Sequence, residues 1–144
     1  MQIAIRNYEQ KDEEQLKQLI NLGYEEDHLL TIVNTNNVKL ALSAFAENKL
    51  VGSLIVWTNT FHPYCTYFRI LCDPFYFEHN GWCGVNGHQS IELVPQLIKK
   101  QINYAVKHNF KSLVGEFDTT DFYAMEVLRR FPFAPSPTWI TYQR

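Results

Sequence analysis

Apolar and polar positions alternate from the start. Ile3 and Ile5 fall on one side of residues 1–8, which predicts a short strand. Asp12 then reads as a helix N-cap, with Gln15 three residues on as its capping-box partner. Leu16, Leu19 and Ile20 recur at helical spacing, and Gly23 stands where such a helix stops. A second short helix is expected over 26–33, with Leu29, Leu30 and Val33 as its apolar face. The polar run 34–37 interrupts it.

Period-two alternation follows. Leu40, Leu42, Ala44 and Ala46 interleave with Ala41, Ser43 and Phe45, residues 47–49 form a tight connection, and 50–57 returns as the second arm of a hairpin. A third strand reads over 66–72. The pair Asp73-Pro74 ends it, because proline has no N–H for the ladder.

Residues 75–90 are the least regular part, with Gly81, Gly84 and Gly87 three apart. Val94, Leu97, Ile98, Ile102, Ala105 and Val106 then mark an amphipathic helix. Pro95 fits only its first turn, which places the start near Leu93, and Asn109 is the expected stop. Residues 112–117 read as a short strand. Thr119 or Thr120 caps a last helix in which Ala124, Met125 and Leu128 share a face. Pro132, Pro135 and Pro137 follow it, and 138–143 is a final strand. The order β-α-α-β-β-β-α-β-α-β is an α+β domain with a mixed α/β sheet, one domain over residues 1–144.

Composition narrows the class. Lys plus Arg number 13 against 15 Asp plus Glu, so no excess of positive charge is available to neutralise phosphates, and no nucleic-acid partner is expected. Hydrophobic residues make up 46% and charged residues 19%, the reverse of a disordered chain. Aromatics reach 15%, enough to line a pocket as well as fill a core. Cys65, Cys72 and Cys83 are few and odd in number, and no secretory leader is visible. That points to a reducing, cytoplasmic compartment rather than a disulfide scaffold. No apolar run approaches the length of a membrane span, so no membrane partner is expected.

Four segments in order give the chain a family likeness. Residues 5–8 (Ile-Arg-Asn-Tyr) lead through Asp12 into a Leu-rich helix. Residues 45–52 form a hairpin whose polar turn precedes the Val51-Gly52 pair. Residues 70–74 carry an apolar-x-apolar-x-Pro pattern. Residues 121–124 (Asp-Phe-Tyr-Ala) run on to Phe131-Pro132-Phe133. Together these resemble the GNAT superfamily of acyl-CoA-dependent N-acetyltransferases over nearly the whole chain. Three places depart from the family pattern. Phe77 stands at the usual Arg/Gln of the pyrophosphate loop, Leu128 stands where the general-acid tyrosine falls, and only one strand fits after Phe133 where two are common.

The resemblance implies acetyl-CoA as co-substrate and a small amine or peptide amine as acceptor, joined by direct attack in a ternary complex. It places the pantetheine arm along Leu71, Cys72 and Asp73, with Asp121 at the position of a pantetheine-contacting Asn. The pyrophosphate would meet Gly81, Gly84 and Gly87, where missing side chains let backbone N–H groups approach a phosphate at a helix start. The same glycines read equally as turns in a long aromatic loop. An acceptor amine must be deprotonated, so a general base should lie within reach, directly or through water. Glu116 and Asp73 are the candidates; the plainer readings are a solvated strand residue for Glu116 and a turn residue before Pro74 for Asp73. Tyr24, Glu25, Asp27 and His28 form an interhelical cluster suited to a cationic acceptor, with Trp57 as an aromatic wall. The plainer readings are an ordinary solvated helix start for the cluster and a core aromatic for Trp57.

Other chemistries stay open. Cys72, His79, Cys83 and His88 are zinc-type ligands but contain no C-x-x-C pair, so no metal is expected. Cys83 with a nearby histidine is the arrangement of a thiol nucleophile. A GNAT-fold module that binds a ligand without catalysis fits the departures at Phe77 and Leu128. A homodimer would cover the backbone groups left unpaired at a short C-terminal sheet edge.

Overall fold

The computed structural model describes residues 3–22, 28–59, 62–73, 90–115 and 129–131. They form β1 (Ile3–Asn7), a single 3-10 turn (Gln10–Asp12), α1 (Glu13–Leu22), α2 (His28–Val33), β2 (Val38–Ala46), β3 (Lys49–Asn59), β4 (His62–Cys72), α3 (Ser90–Lys107) and β5 (Leu113–Gly115). The strands lie side by side as β1-β2-β3-β4-β5. The first four are antiparallel neighbours, and β5 returns parallel to β4 after the α3 crossover. This is the expected α+β domain with a mixed sheet. The elements expected beyond residue 115, and Gly23 at the end of α1, lie outside the described residues.

Strand alternation sends side chains to two cores, one on each face of the sheet. Leu42, Ala44, Leu54, Val56, Phe68 and Ile70 pack on the α3 residues Leu93, Val94, Leu97 and Ile98. Phe45, Ile55 and Leu71 face the other way, onto Leu16, Leu19 and Ile20 of α1 and Leu29 and Val33 of α2. The sheet is thus a middle layer between α3 and the α1–α2 pair.

Three local expectations change. Asp12 does not cap α1. It closes the 3-10 turn, where it accepts the Glu9 N–H at 2.8 Å and binds Arg6 of β1 through both oxygens, at 2.7 and 2.8 Å. The Arg6 guanidinium also lies over the Phe45 ring, 4.4 Å from its centroid. A strand residue has drawn the carboxylate inward, to 3% exposure, while α1 starts at Glu13 as expected. Gln15, freed from capping duty, reaches the β2–β3 turn instead. The third helix begins at Ser90 rather than near Leu93, with Pro95 inside it. Proline there removes only the bond to the first-turn carbonyl of Ile91, which the rest of an 18-residue helix outweighs. The third correction concerns the cysteines: Cys65 is a free thiol, but Cys72 is disulfide-bonded. A sulfur in a disulfide offers no thiolate to zinc, so Cys72 leaves the ligand set considered for 72–88.

The end of α3 falls at Asn109, the expected stop. Asn109 takes the left-handed conformation (φ 57°). Its N–H bonds the Val106 carbonyl and that of Phe110 bonds Ala105, a Schellman closure. Phe110 then packs on the α3-side core.

The Arg6–Asp12 pair yields a stability prediction. Hydrogen bonding from Arg6, opposed by burial and helped by the Glu9 N–H, holds the Asp12 carboxyl below its ordinary value of 3.8. A depressed folded-state pKa stabilises fully above the unfolded value and is lost as pH falls through the folded one. Asp12→Ala should therefore cost about 2 kcal/mol in urea unfolding at pH 7. The gap from wild type should hold down to about pH 5 and close below about pH 4.

Candidate functional site

Among the described residues, β4 and β5 pair over three positions. Thr66, Tyr67 and Phe68 are in register with Leu113, Val114 and Gly115, and among the described residues the pairing stops there. β4 itself runs four residues further, to Cys72, held from its other side by β3. Asp73 extends that hold by one rung, its N–H donating to the Val51 carbonyl at 2.9 Å.

Ladder alternation then fixes where the remaining backbone groups point. In an antiparallel pair, every second residue exchanges bonds with its partner strand and the residues between turn their N–H and C=O away. Asp73 bonds to β3, so Leu71 and Arg69 share that parity. Ile70 and Cys72 therefore direct their backbone groups to the β5 side, as Thr66 and Phe68 do within the overlap. A strand end with N–H and C=O groups turned outward is suited to an extended amide-bearing chain, which can pair with it as another strand would.

The side chains at this end are tightly held. Leu71 is buried on the α1–α2 face, and Cys72 is half-buried on the α3 face. Asp73 is 1% exposed, with Lys49 Nζ 3.2 Å from Oδ2. Opposite Cys72 stands Gly52. A Cβ there would lie 2.8 Å from Leu93 Cδ2 and 3.4 Å from the Leu71 carbonyl oxygen. Gly52 thus lets α3 approach the strand end closely. Gly52→Val should destabilise the chain by about 2 kcal/mol, read from the urea midpoint.

The acceptor-side candidates divide. Trp57 of β3 is half-buried against the α1–α2 core and stacks on Tyr67 of β4, centroids 6.1 Å apart and planes at 28°. His28 opens α2 and is exposed. Both belong to the α1–α2 side of the sheet. Tyr24, Glu25 and Asp27 lie outside the described residues, as do Gly81, Gly84, Gly87, Glu116 and Asp121. Among the described residues no cluster of three metal-ligating side chains occurs, and no helix is long and apolar enough to cross a membrane.

Three residues on β3 and β4 escaped the sequence. Tyr67 widens the aromatic surface begun by Trp57. Ile70 shares the backbone parity of Cys72, a signal readable two residues away once the strand was assigned. Lys49 pairs with Asp73, and nothing local to a turn lysine marks that. A separate cavity of about 360 Å³ opens at the far edge, between Arg6, Lys11, Gln15, Phe45, Glu47 and Asn48. Two of its charges, Arg6 and Asp12, are paired with each other.

No family profile matches the chain, and no curated protein matches it. Solved structures do. The ribosomal-protein-S18-alanine N-acetyltransferase from Escherichia coli superposes with a TM-score of 0.71 at 12% identity, over 94% of this chain and 80% of that one. An acetyltransferase of the GNAT family from Streptococcus pneumoniae gives 0.69 at 16% identity, over 99% and 94%. The aminoglycoside acetyltransferase AAC(6')-Iy, in complex with the bisubstrate analogue CoA-S-monomethyl-acetylneamine, gives 0.67 at 14%, over 100% and 99%. At such identities the likeness establishes the fold: this chain has the fold of the GNAT acetyltransferases.

Proposed function

We propose that the chain is an acetyl-CoA-dependent N-acetyltransferase acting on a small amine or a peptide amine. The observation that carries this reading is the strand end itself. β4 outruns its described pairing with β5, and the backbone groups of Ile70 and Cys72 turn to that side. A pantetheine arm is an extended diamide, and it would pair along Leu71, Cys72 and Asp73. One fold neighbour is a CoA-based bisubstrate complex, which supports the same ligand class.

The chemistry asked of the site is acyl transfer without a covalent enzyme intermediate. The acceptor nitrogen attacks the thioester carbonyl carbon and an N–C bond forms. The oxyanion collapses, the C–S bond breaks, and CoA leaves as a thiolate that takes up a proton. Backbone N–H groups near Cys72 would stabilise the oxyanion from fixed positions. Glu116, which follows β5 in the sequence, is assigned as the base that removes the amine proton. Asp73, buried and engaged by Lys49, is the second carboxylate of the site. Gly81, Gly84 and Gly87 are assigned to the pyrophosphate and Asp121 to the pantetheine arm. Tyr24, Glu25, Asp27, His28 and Trp57 are assigned to the acceptor, and a cationic acceptor suits their charge.

The test is a transfer assay. Wild-type protein and acetyl-CoA are incubated with polyamines, amino-acid amides and peptides with free N-termini. Thiol release and the acetylated product are followed together by absorbance and mass spectrometry. Acceptor-dependent thiol release with matching product is the expected result. Binding of acetyl-CoA with no transfer to any amine class would instead favour a ligand-binding module.

A further inference from the structure

We propose that Lys49 is a positioning residue for acyl transfer: its pairing with the buried Asp73 carboxylate fixes the end of β4 on which the thioester docks. The inference rests on the acetyltransferase reading and adds a residue to it.

The two partners are unlike. The Lys49 side chain is 64% exposed and that of Asp73 is 1% exposed, yet Nζ and Oδ2 are 3.2 Å apart. An exposed lysine paired with an exposed carboxylate contributes little, because both ends are solvated and mobile. A buried carboxylate is different, since it has lost its water and draws on whatever cation is in reach. Lys49 supplies that charge at the mouth of the site.

The base of Lys49 is itself anchored. Gln15 of α1 donates from Nε2 to the Asn48 carbonyl at 3.2 Å. The Leu50 N–H donates to Gln15 Oε1 at 2.9 Å. One helix side chain therefore grips the chain on both sides of Lys49. The Asp73 N–H to the Val51 carbonyl completes a closed circuit. It runs from α1 to the β2–β3 turn, through the lysine to Asp73, and back through the ladder to β3.

The consequence falls on Cys72. It is the last residue of β4 and precedes Asp73, and its backbone N–H faces the β5 side. Displacing Asp73 moves that N–H relative to the carbonyl it would polarise. Reacting groups tolerate little misplacement, and an error of about 1 Å can cost as much as 100-fold. Lys49 is given no contact with co-substrate or acceptor in this proposal; it acts through Asp73.

The test is calorimetric titration of acetyl-CoA and, separately, of free CoA into the full-length wild type, Lys49→Met and Lys49→Arg, each with a thermal melt. Lys49→Met should weaken acetyl-CoA binding by about tenfold, and free CoA, which lacks the carbonyl, by less than about threefold. Lys49→Arg should return acetyl-CoA affinity to within about threefold of wild type; Lys49→Met, which strips the cation from a buried carboxylate, should also melt lower, so all titrations are read well below its melting range. Equal acetyl-CoA affinity in wild type and Lys49→Met overturns the proposal. So does an equal loss of both ligands, the signature of a lysine that only holds the fold. Absence of acetyl-CoA binding by the wild type would instead sink the acetyltransferase reading and take this inference with it.

Discussion

Leu97→Ala is expected to lower the unfolding free energy by about 3–4 kcal/mol. Leu97 is fully buried in the middle of α3, within the cluster that joins this helix to Leu54, Phe68 and Ile70 of the sheet. Truncation removes apolar area from that contact and leaves a void. Neighbours cannot easily fill it, because β3 and β4 are held by a continuous ladder and Val94 and Ile98 are themselves fully buried. The damage should extend beyond stability. α3 is the crossover between β4 and β5, the strands beside the candidate site. Urea unfolding by circular dichroism reads the stability loss. Acetyl-CoA affinity measured well below the melting range should fall with it. A cost under about 1 kcal/mol would mean that α3 repacks freely on the sheet, contrary to the packing described.

Glu116→Gln should lower the rate of acetyl transfer by about 100-fold or more, while leaving acetyl-CoA affinity within about threefold. Glutamine keeps the size and hydrogen-bonding capacity of the side chain and removes its basicity. The loss should therefore fall on kcat and spare binding. The pH profile adds a second signature. A base must be deprotonated to act, so wild-type kcat/KM should fall toward acid pH, and the variant should lose that limb of the profile. A variant with wild-type rate and profile would remove Glu116 from the chemistry and leave Asp73 as the carboxylate to examine.

The hairpin over 40–57 was plain in the sequence because two period-two runs flank a polar turn, and nothing tertiary is needed to specify that. The end of α3 was legible for a similar reason: Asn109 supplies the left-handed residue that a Schellman closure requires. The two-core sheet follows from alternation once the strands are paired. Asp12 was misread because its partner, Arg6, lies on a different element, and a capping signal looks the same whichever group claims the carboxylate. Pro95 misled by the opposite route, a local rule overridden by a long helix with a well-packed face.

Within the candidate site, Leu71, Cys72 and Asp73 were located by the proline that follows them. The Lys49–Asp73 pair needed the β3–β4 register, which no local pattern prints. The same holds for the stacking of Trp57 on Tyr67, which are cross-strand neighbours ten residues apart in sequence.

The central claim is that the end of β4 binds acetyl-CoA. Its most direct test is titration of the unmodified protein with acetyl-CoA by calorimetry at moderate salt, with a parallel thermal melt. Saturable micromolar binding at one site per chain and a raised melting temperature are expected. No heat and no shift at saturating acetyl-CoA would contradict it, and would leave a GNAT fold whose strand end serves another ligand.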